Sequence, residues 1–212
     1  MQRIFLGLTG ASGHAYAEAL ARALLAAGLG LDLCVTASGA KVLRHELGVD
    51  LARDAAAWLG PGAAAAVRVY PPDAVEAPAS SGTALVRAVV LCPCSMGTLA
   101  RVAAGFSSNL VERAADVALK EGKKLLIVPR ETPLSVVHLE NMLRLAKLGA
   151  IVLPAAPGFY HGPRSVEDLV QHVVGKILDR LGIENAVGAR WKGLEKPPED
   201  EGIGRALPED RA

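Results

Sequence analysis

The sequence LLIV, residues 125–128, is followed directly by PRETPLSVVHLENMLRLAKLG, residues 129–149. The four apolar residues predict a buried strand, and the segment after them predicts a helix. Thr132 is suited to cap this helix, Pro133 to stand in its first turn, and Gly149 to supply a left-handed stop. A buried strand that leads into a helix is typical of an α/β sheet.

Arg130 and Glu131 stand side by side where this strand ends. In open α/β sheets, ligands bind outside the carboxyl ends of the strands, so we expect this ion pair to face a binding crevice. An arginine there binds phosphate or a carbonyl oxygen of a cofactor, and an adjacent carboxylate holds or delivers a proton. The same two residues alone are also compatible with a structural salt bridge at a strand end.

Predicted strands alternate with predicted helices along the whole chain. The strands are predicted at residues 3–8, 31–36, 67–70, 88–92, 125–128 and 150–153. The helices are predicted at residues 14–27, 40–47, 51–59, 96–104, 110–121, 135–148 and 166–181. The strands are apolar without alternation, which indicates burial on both faces. We therefore predict an α/β fold of three layers, Rossmann-like or flavodoxin-like, with a mostly parallel six-stranded sheet.

The chain of 212 residues fits one domain, which we place at residues 1–185. The segment 71–82, rich in Pro, Ala and Ser, predicts a mobile loop. Residues 186–212 form a polar tail with no core pattern, which we expect to be partly disordered or packed on a neighbouring subunit.

Composition argues against several classes of partner. The net charge is +1, which does not suit a nucleic-acid surface or an anionic membrane. No apolar run reaches transmembrane length, and Met1 leads into a strand rather than a signal peptide, so we expect a cytoplasmic protein. Cys34, Cys92 and Cys94 are an odd number, which suits reduced thiols, and the last two are interpreted as small buried residues beside Pro93.

A glycine-rich turn, GLTGASG at residues 7–13, joins the first strand to the first helix. Glycines allow the backbone to approach an anion, the helix N-terminus offers N–H groups, and Ser12 adds a hydroxyl. The glycine spacing matches neither the dinucleotide fingerprint nor a Walker A loop, so the phosphate of a mononucleotide suits it better. A tight structural turn is the alternative.

Two further strands end in hydroxyl-bearing turns. Thr36 and Ser38 follow the second strand, and the turn 93–98, PCSMGT, follows the fourth. One such turn is ordinary helix capping, but three at one edge of a sheet, without acidic residues, favour an anionic cofactor. Tyr160 follows the sixth strand and would offer a hydroxyl to phosphate. The five histidines lack metal-ligand spacing, so no metal is assigned.

Together these segments resemble the UbiX-type flavin prenyltransferases from about Arg3 to Trp191. The motifs that carry the resemblance are GLTGASG (7–13), PCSMGTLARVAAG (93–105), RAADVALKE (113–121), RETPL (130–134) and PGFYHGP (157–163). The last three in combination are highly specific.

The resemblance implies an enzyme that binds reduced FMN and joins to it the dimethylallyl group of dimethylallyl phosphate. The new bonds go to N5 and C6 of the flavin, and the product, prenylated FMN, is the cofactor of a partner UbiD-type decarboxylase. The family needs no metal and commonly forms homododecamers with sites at subunit junctions. Residues 1–185 would then be a single FMN-binding flavoprotein domain.

The resemblance also implies roles for individual residues. The FMN contacts would come from Gly10, Ala11, Ser12, Gly13, Ser38, Ser95, Met96, Gly97, Thr98 and Arg130. The substrate phosphate would be bound by Lys120, Arg130, Tyr160 and Lys176, with Lys120 reaching in from a neighbouring subunit. The catalytic group would comprise Glu131, Glu46, Ser12 and Trp191. Glu131 is the candidate for proton handling. Gly97 stands where many relatives have lysine, and Lys176 where many have arginine.

Two alternatives remain at this point. Cysteine decarboxylases share FMN and the fold type, but they carry an asparagine in the turn that here reads PCSMGT, whereas His45 is compatible with their catalytic histidine. The second alternative is a flavin-binding subunit without catalysis, in which replacing Glu131 would change no activity.

Overall fold

The structure is a computed structural model that describes residues 1–60, 62–74, 76–84, 86–188, 190 and 193. The strands are β1 Arg3–Leu8, β2 Gly30–Val35, β3 Val67–Tyr70, β4 Val86–Cys94, β5 Lys124–Pro129 and β6 Ile151–Val152. They form one sheet in the order β3-β2-β1-β4-β5-β6, and each neighbouring pair is parallel. The predicted six-stranded α/β sheet is confirmed, and its pairing is parallel throughout.

Helices cover both faces of this sheet. They are α1 His14–Ala26, α2 Ala37–Leu47, α3 Leu51–Leu59, α4 Ala63–Ala66, α5 Met96–Ala103, α6 Leu110–Lys120, α7 Val136–Lys147 and α8 Val166–Leu181. The sequence pattern predicts seven of them to within three residues at each end. It misses α4 and a short 3-10 helix at Pro78–Ser80, because a single helical turn carries no amphipathic period.

Two apolar cores lie on the two sides of the sheet. Successive residues of β5 alternate between them: Leu126 and Val128 pack on the side of α1, α3 and α8, whereas Leu125 and Ile127 pack on the side of α5 and α6. This alternation follows from the two-residue period of a strand. It explains why the strands read as continuous apolar runs and confirms the three-layer prediction.

The capping residue of α7 differs from the prediction, although the helix begins within one residue of its predicted start. Thr132 does not cap it; the N-cap is Ser135, whose Oγ accepts the N–H of His138 at 3.2 Å. His138 Nδ1 in turn accepts the N–H of Ser135 at 3.3 Å, so that both groups are satisfied by a reciprocal capping box. Pro133 therefore precedes the helix instead of standing in its first turn. Gly149 has φ +93° directly after α7, as its predicted role as a stop requires.

The segment predicted as a mobile loop is in part packed against the protein. Ala74, Ala77 and Ala79 are buried in the core beside α6, and Ser80 closes the short helix by donating to the carbonyl of Ala77. Small alanine side chains allow this close packing. The mobility of the segment as a whole stays a prediction.

The order of strands reverses direction between β1 and β4. Loops that leave neighbouring strands toward opposite faces open a crevice at such a switch point. The turns after β1, β2, β4 and β5 carry the residues that are predicted to contact FMN. None of the described helices is both long enough and apolar enough to cross a membrane.

Candidate functional site

The turns after β1 and β4 are joined by Thr9. The Thr9 hydroxyl donates to the carbonyl of Pro93 at 2.9 Å and accepts the N–H of Ser95 at 2.7 Å. Thr9 is fully buried, so these hydrogen bonds are shielded from water. They fix the glycine turn and the start of α5 against each other at the switch point.

The turn after β2 approaches the same place. A Cβ atom at Gly10 would lie 2.7 Å from Ser38 Oγ, so glycine is needed for the two turns to come this close. Thr36 accepts the N–H of Gly39 at 3.1 Å and caps α2, which leaves the exposed Ser38 beside Gly10. The three predicted hydroxyl-bearing turns therefore converge at one edge of the sheet.

The start of α5 forms the third turn of this site. Ser95 accepts the N–H of Thr98 at 3.4 Å, and its hydroxyl donates to Thr98 Oγ1 at 3.2 Å. Met96 is buried beneath the turn, whereas Gly97 is exposed. The side chains of Ser95, Met96 and Thr98 thus hold the turn in place, and its main chain at Gly97 stays exposed.

The Glu46 carboxylate binds the main-chain N–H groups at the N-terminus of α1. Its Oε2 atom accepts the N–H of His14 at 2.8 Å, and its two oxygens lie 3.0 and 3.1 Å from the N atom of Gly13. Burial alone would raise the pKa of Glu46, but the hydrogen bonds from Ser12, His14 and Gly13 outweigh it and lower this pKa. The sequence interpretation of these N–H groups as free for phosphate is wrong at Gly13 and His14, because a carboxylate of the chain already uses them.

Arg130 binds the glycine turn from the side of β5. Its Nε donates to the carbonyl of Ser12 at 3.2 Å, and its main-chain N–H donates to the carbonyl of Cys94 at 3.3 Å. Glu131 is exposed, and its Oε1 accepts the N–H of Thr132 at 3.0 Å. The predicted ion pair between Arg130 and Glu131 is absent from the ion pairs of the described residues, since adjacent residues of an extended chain point to opposite sides.

A cavity of about 250 Å³ brings Tyr160 and Lys176 together. Both side chains are exposed, and Arg190 lines the same cavity while it pairs with Asp179 at 2.9 Å. The loop that carries Tyr160 starts beside Arg130, because the N–H of Ala155 donates to the carbonyl of Pro129 at 3.0 Å. Two of the predicted phosphate-binding residues therefore line one cavity, whereas Arg130 is not among the residues that line it.

Lys120 lies at the opposite edge of the sheet. It ends α6 shortly before β5 begins, whereas Arg130 follows the end of β5. A strand of 6 residues spans about 20 Å, so Lys120 does not join the other predicted residues within one subunit. The last predicted site residue, Trp191, lies outside the described residues.

Sequence reasoning missed four residues that organise this region: Thr9, His14, Glu112 and His172. Thr9 lies inside the quoted glycine turn, and a hydroxyl at a strand end was a usable signal. His172 precedes Lys176 by one helical turn, which places both on one face of α8. The buried position of Glu112 beside Arg101 had no signal in the sequence, because a glutamate in a first helical turn is ordinarily solvated.

The cysteines behave as predicted. Cys34, Cys92 and Cys94 are buried and free, and burial raises the pKa of Cys94 to about 12. Such thiols are poor nucleophiles. Among the described residues, no group of His, Cys, Asp and Glu has the arrangement of a metal site.

The residues at the switch point fit FMN. The close contact of Gly10 with Ser38 makes a narrow cradle that a side chain at position 10 would fill. The exposed Ser38 hydroxyl is a donor for a phosphate or ribityl chain, whereas the Ser12 hydroxyl donates to Glu46 and is left to accept from a ribityl hydroxyl. The Arg130 guanidinium is suited to a flavin carbonyl or a phosphate.

Comparisons with known proteins identify the family of the chain. The model of the flavoprotein family matches residues 1–178. The flavin prenyltransferase UbiX of Methanothermobacter thermautotrophicus is 45% identical over 197 residues, which cover 92% of this chain and 98% of that protein.

Two solved structures are similar over most of their length. The crystal structure of AnUbiX (PadA1) in complex with FMN and dimethylallyl pyrophosphate matches with a TM-score of 0.83 and 34% identity, over 92% of this chain and 99% of that one. A dodecameric FMN-dependent Ubix-like decarboxylase from Escherichia coli O157:H7 matches with a TM-score of 0.82 and 39% identity, over 91% of this chain and 100% of that one.

Proposed function

The chain belongs to the flavoprotein family and, within it, to the UbiX-type flavin prenyltransferases, and on this basis we propose that it prenylates reduced FMN. The donor is dimethylallyl phosphate, whose five-carbon group becomes bonded to N5 and C6 of the flavin. The allylic C–O bond and the N5–H and C6–H bonds break; the five-carbon group takes up one of the two hydrogens, and inorganic phosphate leaves with the other.

One observation carries this proposal: Arg130 connects the flavin turns with the loop of the phosphate cavity. Its guanidinium contacts Ser12 in the glycine turn, while the preceding Pro129 pairs with Ala155 on the way to Tyr160. The loop thus leads from the strand end that carries Arg130 to the cavity lined by Tyr160 and Lys176, so a cofactor in the turns and a phosphate in that cavity would be bound by segments that meet at the end of β5. This is the placement that transfer between the two requires.

The charges suit cleavage of an allylic phosphate ester. Negative charge develops on the leaving phosphate, where Lys176, Arg130 and the Tyr160 hydroxyl would stabilise it. Positive charge develops on the allyl carbon, near Glu131 in this proposal. The bound reduced flavin supplies the nucleophile. Glu131 is exposed at the edge of the crevice and carries the proton transfer, with Glu46 holding the turn that contains Ser12.

Lys120 would complete the site from a second subunit. Its position at the far edge of the sheet supports a junction between copies of the chain. An apolar face is available for such contacts, because Val136, Val137, Leu139 and Leu143 of α7 are 51–70% exposed. We infer a homo-oligomer, with the dodecamer as its expected form.

Subunit mixing tests this shared site. Lys120→Ala and Arg130→Ala are each expected to be inactive as pure oligomers. Unfolding and reassembling the two together should recover about one quarter of the wild-type rate, since random mixing gives both intact residues at about a quarter of the junctions. An inactive mixture, or an active monomer by light scattering, would refute the shared site.

The proposed function extends to the recipient of the product, the compartment and the domain boundaries. We propose that the product serves a UbiD-type decarboxylase and that the reaction takes place in the cytoplasm, because three free cysteines suit a reducing compartment. Residues 1–185 are proposed as the FMN-binding domain; of the tail from 186, Val187 packs on the core of its own chain and Arg190 pairs with Asp179, and most of the remainder lies outside the described residues.

The alternatives are less favoured. His45, which was compatible with a cysteine decarboxylase, is exposed on α2. The non-catalytic alternative leaves the cavity at Tyr160 and Lys176 without a use.

Release of inorganic phosphate tests the proposed reaction. Purified protein is incubated without oxygen with dimethylallyl phosphate, or in parallel with the diphosphate, in the presence of reduced or oxidised FMN. Per reduced flavin we expect one phosphate from the monophosphate, or one pyrophosphate if the diphosphate is used, and no release with oxidised FMN, because the oxidised ring lacks a nucleophilic N5. Phosphate release that is independent of the flavin would indicate a phosphatase.

A further inference from the structure

A hydrogen-bonded chain of three groups leads into the Tyr160 cavity. The main-chain N–H of Gly158 donates to His172 Nδ1 at 3.2 Å, and His172 Nε2 lies 3.0 Å from the hydroxyl oxygen of Tyr160. His172 is only 8% exposed, so water does not compete strongly for its ring nitrogens. The two contacts together determine which group donates in each bond.

The tautomer of His172 follows from the Gly158 contact. A main-chain N–H is always a donor, so Nδ1 must be the acceptor and carry a lone pair. The neutral ring then has its hydrogen on Nε2, which donates to Tyr160. Burial, followed by the nearby His161 and Lys176, lowers the pKa of His172 and keeps the ring neutral. In a protonated ring Nδ1 would also carry a hydrogen, which would face the hydrogen of the Gly158 N–H and break this bond.

The tautomer of His172 determines the role of the Tyr160 hydroxyl in this hydrogen bond. Because it accepts from His172, its own hydrogen is committed to donation elsewhere. The ring is held in place by an edge-on contact with His172, whose imidazole stacks on that of His161 at 5.1 Å and 9°. A Cβ atom at Gly158 would lie 2.8 Å from the Tyr160 ring, so the glycine makes room for this position.

We propose that His172 is a positioning residue that fixes the Tyr160 hydroxyl as a hydrogen-bond donor to the phosphate of the allylic substrate. Lys176 lies one helical turn after His172 on α8, so the fixed hydroxyl and the ammonium group act on the same cavity. This inference rests on the proposed function for the identity of the phosphate ester, but the hydrogen-bond chain itself does not depend on it.

The test measures the affinity for dimethylallyl phosphate by calorimetry, with oxidised FMN present so that no turnover occurs. His172→Phe keeps a flat ring and removes both nitrogens; we expect about tenfold weaker binding, since the Tyr160 hydroxyl is then no longer fixed as a donor to the charged phosphate. His172→Gln restores a donor in this region and should recover part of the affinity. The matched control is His161→Phe, which keeps the ring stack and should remain within about twofold of wild type.

A double substitution separates positioning from a general structural effect. Tyr160→Phe removes the hydroxyl, and adding His172→Phe should then cause no further loss, because both changes act through the same hydrogen bond. Losses that multiply in the double variant, or wild-type affinity in His172→Phe, would overturn the proposal.

A measurement on the unaltered protein guards against variants that fail to fold. Nitrogen-15 spectra of histidine-labelled protein identify the tautomer of each neutral ring. Hydrogen on Nε2 of His172 is expected, and hydrogen on Nδ1 would overturn the proposal. A protein with the Nε2 tautomer and the binding pattern above, but without phosphate release, would contradict the proposed reaction while leaving the role of His172 intact.

Discussion

The carboxylate of Glu46 accepts the main-chain N–H of His14 at 2.8 Å, so that α2 supplies a negative charge to the N-terminus of α1. A helix N-terminus in a glycine-rich turn is usually available to an external anion. Here the chain fills that position itself, and a bound cofactor must use the earlier part of the turn and its neighbours.

Glu46→Ala should therefore open an anion site that the wild-type protein lacks. We expect the variant to bind inorganic phosphate about tenfold more tightly than wild type, because the α1 N-terminus is released. The measurement is calorimetric titration of the protein with phosphate in the absence of flavin. Glu46→Gln keeps an oxygen acceptor without the charge and should fall between the two. Equal phosphate affinity in all three proteins would contradict this account.

His14 should make the stability depend on pH. Its ring is fully buried, and burial lowers its pKa despite the opposing effect of Glu46. Since the folded pKa lies below the unfolded value of about 6.5, the unfolded chain binds more protons as the pH falls below that value. The free energy of unfolding should therefore decrease from pH 7 to pH 5.

Urea unfolding across this pH range checks the prediction. His14→Gln should reduce the slope without abolishing it, because the lowered pKa of His172 acts in the same direction. A slope that is unchanged in the variant would show that His14 does not contribute.

Glu112 should be among the most sensitive polar residues for stability. It is fully buried, accepts Arg101 Nε at 2.5 Å, and accepts the N–H and hydroxyl of Ser108 at 2.8 and 2.6 Å. Burial alone would raise the pKa of Glu112, but these hydrogen bonds outweigh it and lower the pKa. Glu112→Gln should reduce the free energy of unfolding by about 2 kcal/mol, because an amide N–H₂ then faces donors.

The control for this prediction is Asp54→Asn. Asp54 pairs with Arg53 at 2.8 Å on an exposed helix surface, where an ion pair contributes little. Denaturant midpoints for the two variants and the wild type give the comparison. Equal losses in both variants would contradict the importance of burial.

Gly10 and Gly97 both belong to predicted FMN turns but differ in the space around them. Gly10→Ala would place a methyl group 2.7 Å from Ser38 Oγ and should weaken FMN binding about tenfold by moving the turns apart. Gly97→Ala meets nothing closer than Arg101 at 3.5 Å and should bind FMN nearly as wild type does. Fluorescence titration with FMN distinguishes the two; equal affinities would argue against the cradle.

The regular parts of the fold were predictable because their signals are local. Apolar runs of four to six residues identify the strands, and glycines such as Gly149 identify helix ends. The capping residue of α7 was not predictable, because Thr132 and Ser135 are both good caps and the choice depends on the side chain of His138. The packed alanines at 74, 77 and 79 depend on α6, which is distant in sequence.

The site residues that directly follow a strand end were predictable from the sequence. Those that depend on a contact with a residue distant in the sequence were not. The convergence of the three hydroxyl-bearing turns follows from parallel pairing alone. By contrast, the carboxylate of Glu46 reaches α1 only through the packing of α2, and no spacing rule connects residues 14 and 46. The hydrogen bond between His172 and Tyr160 is similarly set by the loop after β6 folding back on α8.

The mass of the flavin after turnover tests the central claim most directly. The protein is incubated without oxygen with reduced FMN and dimethylallyl phosphate, and the released flavin is analysed by mass spectrometry, with Glu131→Gln in parallel. We predict a flavin that has gained one five-carbon unit, with about a hundredfold slower formation in the variant. Unchanged flavin from a protein that binds both FMN and dimethylallyl phosphate would contradict prenyl transfer.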